Sequence, residues 1–405
     1  MRVSTAQFYF QNGLQMSNKQ SAVSEQSGYI SSGKRVLTAK DDAVSFGALT
    51  GYKEELASID RYKRNITQAE SRNGLQDTLL GSSTELLNQV RDLMLQANNG
   101  ARSDEDLTSI SQQIKQGLAE MLDIANAKDE TGTYIFSGYK VETKPFSLAP
   151  DNSVNYSGDR GVRELQIAKN ILVPINQSGD KVFEKVANAS GDFTANYNTN
   201  TSGVSIDSAK ITDRGQYNLA ANNPQDYNFS FTAPDLLTVT DSALPTANIV
   251  YPTAPYVAGQ TIAFDGVEVK LNGNPLPGDN FDLTPESEIS LFDTIKNAID
   301  WLDAGTTAAS TEQGQVDFSA ILNQFNNVLD HISTQRAEAG INLQQIERQK
   351  NIHLDTELYL HEGRSRIEDL DFAQAISGFE QSKMALQAAQ QTFTQIQGMN
   401  LFNYI

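Results

Sequence analysis

Gly28-Tyr29-Ile30-Ser31-Ser32-Gly33-Lys34-Arg35 has the outline of a phosphate-binding loop, G-x-x-x-x-G-K. Such a loop needs Ser or Thr after the lysine to hold Mg²⁺, and a strand before the first glycine. Arg35 stands at that position and no strand-like run precedes Gly28, so the glycines read as a turn between two helices. His353, His361 and Glu362 gather metal-ligating side chains on one segment. A zinc-protease helix places its histidines at i and i+4 with the glutamate between them. Here Glu362 follows both and the histidines are too far apart, while His331 is distant. All three read as ordinary helix-surface histidines. Asp41-Asp42 and Asp369 with Asp371 are acid pairs of the kind that can divide general acid and base work. Neither lies in a pocket-forming pattern, and helix N-termini or solvated loops account for them. Gly278-Asp279 lacks the alternating acids of a calcium loop. No catalytic constellation emerges, no cofactor or metal is called for, and the chain reads as a non-enzyme.

Composition narrows the classes further. The 405 residues suggest two to four domains. With 50 Asp+Glu against 31 Lys+Arg the formal charge is −19. A field of that sign repels phosphate backbones and anionic lipid, which argues against nucleic acid and membrane as partners. The one dense basic cluster, Arg61-Tyr62-Lys63-Arg64, reads as a turn of solvated helix. Cysteine is absent, which removes disulfides, zinc-thiolate sites and thiol nucleophiles together. No run reaches the roughly 18 apolar residues a membrane helix needs. The N-terminus lacks the apolar core of a secretory signal, so the expected location is the cytosol, or the exterior by a route that ignores such signals.

The elements are helical at both ends and β-like in the middle. Tyr52, Ile59, Ile66, Asn73, Leu80, Leu87 and Met94 follow each other by sevens, with Tyr62, Ala69, Val90 and Ala97 at the companion position. That repeat fits a coiled coil or an antiparallel bundle helix equally, with Asn73 a polar interruption of the seam. Asn98-Asn99-Gly100 stops it. Ser103 then caps a second helix, with Asp106 at the capping-box position, and this helix folds back on the first. Phe318, Phe325, Ile332, Ala339 and Ile346 form a later heptad series that can pair with the first. Ser290 to Leu302 reads as a short amphipathic helix. Between about residues 185 and 285, short alternating runs and turns such as Asn272-Gly273-Asn274-Pro275 predict a β-sandwich or small barrel. The fold class is α+β: a long antiparallel helical rod or coiled-coil bundle built from both chain ends, with an inserted β-rich domain.

The termini carry amphipathic stripes that need partners. Val3, Phe8 and Leu14 sit in a Gln/Asn/Ser-rich segment, and Leu370, Ile376, Phe379, Leu386, Phe393 and Ile396 lead to Leu401 and Phe402 at the chain's end. These residues, with Arg35, Asp41 and Asp42, are the candidate assembly interface.

Ser31-Ser32-Gly33-Lys34-Arg35-Val36-Leu37-Thr38-Ala39-Lys40-Asp41-Asp42-Ala43 resembles the N-terminal motif S-S-G-x-R-x-x-x-A-x-D-D-A of bacterial flagellins and their junction relatives. Tyr134-Ile135-Phe136-Ser137-Gly138-Tyr139-Lys140, followed by Thr143-Lys144-Pro145-Phe146, is similar to a signature of the hook–filament junction branch. Tyr156-Ser157-Gly158-Asp159, Val182-Phe183 and the last helix and tail resemble that branch as well. The likeness covers roughly residues 1–175 and 286–405; residues 185–258 match nothing recognisable.

The resemblance implies a structural adaptor joining the flagellar hook to the filament. Its partners would be the preceding hook-associated protein (FlgK type), flagellin, further copies of itself in a ring, and an export chaperone on the C-terminal helix. It would leave the cell unfolded through the flagellar type III apparatus and reside at the extracellular junction. The expected domains are residues 1–42 plus 363–405, a terminal helical assembly region disordered in the monomer; 43–180 plus 286–362, a helical rod with a β-hairpin segment; and 181–285, a β-rich outer domain. A flagellin subunit, sharing Ser32 to Ala43, and a secreted coiled-coil adhesin with a glycan-binding insertion stand as alternatives.

Overall fold

The structure, a computed structural model, describes residues 5–219, 225–233, 236–241 and 248–398. It is α+β, with long helices from both chain ends and a β-rich insertion. The helices are α1 Thr5–Ser32, α2 Ala43–Ala97, α3 Asp104–Ala125, α4 Arg214–Tyr217, α5 Leu291–Asp303, α6 Gly305–Ala309, α7 Glu312–Glu368 and α8 Phe372–Gly398. The chain forms two compact units, one of residues 1–65 with 348–405 and one of residues 66–347.

In residues 66–347, the heptad positions become the core. Leu80, Leu87, Val90 and Met94 of α2 pack with Ile114, Leu118 and Met121 of α3, and with Phe325 and Ile332 of α7. Ser103 caps α3 as a complete capping box with Asp106, and Ser290 caps α5 through the Phe292 N–H. Asn73 is satisfied inside the seam. Its Nδ2 donates to the Ala69 and Pro174 carbonyls, each at 2.9 Å, and its Oδ1 accepts from Asn342. That geometry removes the penalty of a buried amide.

Residues 133–140 form tight turns rather than a strand. Ile135 and Phe136 are buried there, and Phe136 meets Phe183 edge-on at 5.1 Å. Val182 and Phe183 belong to a single π turn, Asp180–Glu184, and not to a β segment. Two small antiparallel pairs follow the turns: β1 Phe146–Leu148 with β2 Val154–Tyr156, and β3 Glu164–Ala168 with β4 Ile171–Pro174.

The insertion is a two-sheet sandwich. Its strands are β5 Val186–Ala187, β6 Phe193–Thr199, β7 Ser205–Ile211, β8 Tyr227–Ala233, β9 Leu236–Asp241, β10 Asn248–Pro255, β11 Thr261–Phe264, β12 Val267–Asn272, β13 Asn280–Pro285 and β14 Glu288–Ile289. One antiparallel sheet has the order β10-β9-β8-β13-β6, the other β11-β12-β7. β12 alternates buried Val267, Val269 and Leu271 with exposed residues, the period-two pattern of a half-buried strand. These side chains share a core with Phe229, Phe281 and Leu283 of the larger sheet. β5 and β14 pair at the root of the insertion.

In residues 1–65 with 348–405, α1 and α8 pack together, and Leu56 and Ile59 of α2 meet Leu360 of α7.

Candidate assembly site

The segment from Gly33 to Asp42 links α1 to α2, and its conformation follows from a few residues. α1 runs through Gly28 and stops after Ser32, so only Gly33 serves the turn, with φ at +68°. A left-handed residue just past a helix is the usual place for glycine. The chain then pairs with the end of α7. Arg35 N donates to the Glu368 carbonyl at 2.7 Å, Leu370 N donates to the Gly33 carbonyl at 3.0 Å, and the Arg35 guanidinium donates to the Ile367 carbonyl at 3.0 Å.

Asp41 closes the loop. Its carboxylate accepts from the N–H groups of Thr38 and Leu37 and from the Tyr29 hydroxyl. Those bonds, Thr38 N–H first, hold it below its ordinary range. Burial and the Asp41 charge in turn push Tyr29 up to about 12. Asp42 caps α2 through the hydroxyl and N–H of Ser45, which hold its carboxyl low, and Arg35 lies 3.9 Å away. The acid pair is therefore a turn lock and a helix cap.

Sequence reasoning missed the centre of this arrangement, Glu368. Its side chain is only 6% exposed, and Lys34, Lys53 and Arg364 stand at 2.7, 3.0 and 3.6 Å. Burial works to raise the carboxyl, but Lys34 and Lys53 together outweigh it and hold it below the usual range. One signal was available. An acid in the last turn of a helix opposes the dipole and so calls for cations from elsewhere.

Phe379, Leu386 and Phe393, seven residues apart, are half-buried on α8, which packs on α1, and Tyr9 meets Phe393 edge-on at 6.1 Å. Leu370 is half-buried. Phe10, Leu14 and Ile376 remain exposed, at 67%, 49% and 51%. Phe8 and Ile396 lie within α1 and α8, but their side chains, like Val3, Leu401 and Phe402 as a whole, fall outside the described residues.

The histidines do not all lie on the surface. His353 is buried and stacks on Tyr62 at 5.5 Å, because it falls on the face of α7 that meets α2. His361 is exposed, and His331 is half-buried, its ring bonded to the Lys181 carbonyl. In the basic cluster Arg61 and Arg64 are exposed, while Lys63 pairs with Glu357 at 2.9 Å. Among the described residues no group of acids and histidines is placed to hold a metal ion, and no helix is long and apolar enough to cross a membrane.

The junction signature is locked as firmly as the linker. Gly138, at φ +74°, lets Asp159 Oδ1 accept from the N–H groups of Tyr139 and Gly161, both at 2.8 Å. The Tyr156 hydroxyl donates to the carbonyls of Phe136 and Asp159.

Long helices from both ends and an ordered linker between α1 and α2 make this a protein of the flagellin type. The bacterial flagellin N-terminal helical region matches residues 3–141, and the C-terminal helical region matches residues 322–405. The chain belongs to the bacterial flagellin family. Within that family it falls with hook-associated protein 3. It is 25% identical to flagellar hook-associated protein 3 of Escherichia coli K12 over 99% of each chain. The crystal structure of flagellar hook-associated protein 3 from Legionella pneumophila covers 78% of this chain and 98% of its own, with 27% identity and a TM-score of 0.66. Flagellin 1 of Proteus mirabilis aligns over only 47% of each chain, at 27% identity. The protein is a structural component of the flagellum.

Proposed function

We propose that this chain is the adaptor at the hook–filament junction. It sits on the preceding hook-associated protein, of the FlgK type, and presents a flagellin-like surface to the first filament subunits. Similarity to hook-associated protein 3 over 99% of both chains, against about half for a flagellin, is the observation that carries the reading. The exposed Phe10, Leu14 and Ile376 support it, since an α1–α8 pair with this much apolar surface gains burial only from neighbours. Residues 1–42 and 363–405 are the assembly region in this proposal, with further copies of the chain completing a ring. An export chaperone on α8 would keep the same stripe from aggregating before type III export to the cell exterior.

Deletion of the gene, followed by electron microscopy of the cells and immunoblotting of the medium for flagellin, tests this. Hooks without filaments, with flagellin lost as monomer, are expected. Normal filaments would overturn the adaptor role. A second reading, a filament subunit, draws on the Ser32 to Ala43 motif shared with flagellins. Copy number in sheared filaments separates the two, since a subunit dominates that fraction and an adaptor is scarce in it.

A further inference from the structure

The two largest hydrophobic cores of residues 66–347 do not merge. One joins α2, α3, α5 and α7, the other lies inside the sandwich. Between them is a cleft of about 770 Å³ with a mixed wall, polar at Asn188, Asn196 and Asp317 and apolar at Ile206, Trp301 and Val316. Hydrogen bonds bridge sandwich and helices. Asn200 donates to Gln313 at 2.8 Å, Ala189 N donates to Gln324 Oε1 at 2.8 Å, and Gln324 and Asn327 donate to the Ala187 carbonyl. The chain enters the sandwich through β5 and leaves through β14, a ribbon pairing Val186 with Ile289 and Ala187 with Glu288. Separate cores joined by a short ribbon, with an open cleft rather than a shared apolar core between them, can move against each other.

Glu184 sits at the root of that ribbon. Its Oε1 is buried without a hydrogen-bond partner. The nearby cations are engaged elsewhere: Arg160 and Lys185 with Asp180, Lys181 with Glu338 of α7, and Lys296 with Asp300. Also on α7, His331 bonds the Lys181 carbonyl. The charges left to act on Glu184 are acids, Asp293 on α5 and Asp180 on its own turn, while Glu286 adds to the field at Asp293. Burial first, then Asp293, push the Glu184 carboxyl up to about 7, with the Ser290 hydroxyl acting the other way.

We infer that ionisation of Glu184 loosens the β5–β14 ribbon and lets the sandwich swing away from α5 and α7 across the cleft. A neutral carboxyl is tolerated in this setting and an unpaired carboxylate is not. The ribbon is therefore tight in acid and loose in alkali.

The chain has no cysteine, so a reporter pair is introduced cleanly. N272C, on the sandwich side of the cleft, and T307C, on α6, carry spin labels in the full-length protein, and electron–electron resonance gives their distance distribution. One narrow distribution is expected at pH 5.5 and a broader, longer one at pH 8.5, with a midpoint near pH 7. E184Q should stay narrow at both. An unchanged distribution with Glu184 in place, or a pH response that persists in E184Q, overturns the inference. If E184Q does not fold, D293N decides instead. Its midpoint should fall, and an unmoved midpoint counts against the proposal.

Discussion

Lys34 Nζ lies 2.7 Å from Glu368 Oε1, which ties the loop ahead of α2 to the last turn of α7. The family motif is held in shape by a residue outside it. E368Q leaves Lys34 and Lys53 able to reach water, so its cost at pH 7 is about 1–2 kcal/mol. The sign with pH follows from the lowered carboxyl. Its contribution is present above the unfolded value of 4.5 and fades as pH falls through the lower folded value. Urea melts of wild type and E368Q should therefore differ at pH 7 and converge in acid; a constant gap would show that the ion pairs are not its source.

Asp129 carries a larger linkage. Its side chain is 1% exposed and pairs with Arg72 of α2. Burial opposes its ionisation, but the hydroxyls of Thr131 and Thr133, the Thr133 N–H and Arg72 together bring it down to about 2 from 3.8. At about 1.4 kcal/mol per unit, D129N should cost about 2–4 kcal/mol at pH 7, since it also strands Arg72. The difference should shrink as pH drops below 3.8 and through about 2. Denaturant midpoints across that range check it, and a loss under about 1 kcal/mol at pH 7 would contradict the account.

Gly138 and Gly132 offer a matched comparison. Both have positive φ, +74° and +81°. A Cβ on Gly138 would fall 2.1 Å from Asp159 Oδ1, whereas one on Gly132 meets nothing within 4 Å. G132A should cost only the backbone strain, about 1 kcal/mol, and G138A at least about 2–3 kcal/mol because the Asp159 lock must open. Equal costs in thermal melts would deny that lock its role.

Phe379 tests the assembly face. F379D places a charge on the helix that packs on α1. Filament formation should be lost while residues 66–347 stay folded, because their core shares no side chain with α8. Circular dichroism should keep most of the helical signal, and microscopy of complemented cells should show bare hooks. Global loss of helix would place Phe379 in the folding core instead.

Much of the helical architecture was legible because its signals are local. The heptad from Tyr52 to Met94, the Asn98-Asn99-Gly100 stop, the Ser103–Asp106 box and the amphipathic stretch from Ser290 to Leu302 each depend on residues within a few turns of one another. The sequence alone also determined the α+β class and the family motifs. What it could not determine was which side chains meet at long range. Gly28 reads as a turn residue and lies inside α1. His353 reads as a surface residue and is buried on Tyr62. The run from Tyr134 to Tyr139 has strand composition, yet its backbone groups are claimed by Asp159 and Tyr156 in turns.

The same limit explains Glu368 and Glu184. Each is an unremarked acid in the sequence, one at a helix end and one before a short strand. Only the tertiary structure decides that three cations converge on the first and that every nearby cation is engaged away from the second. The physical reason is that a carboxyl's charge state and worth are set by desolvation and by neighbours within a few ångströms. For Glu368 those neighbours come from the linker after α1, from α2 and from α7, and for Glu184 from α5 and its own turn, placed there by the fold and not by the order of the chain.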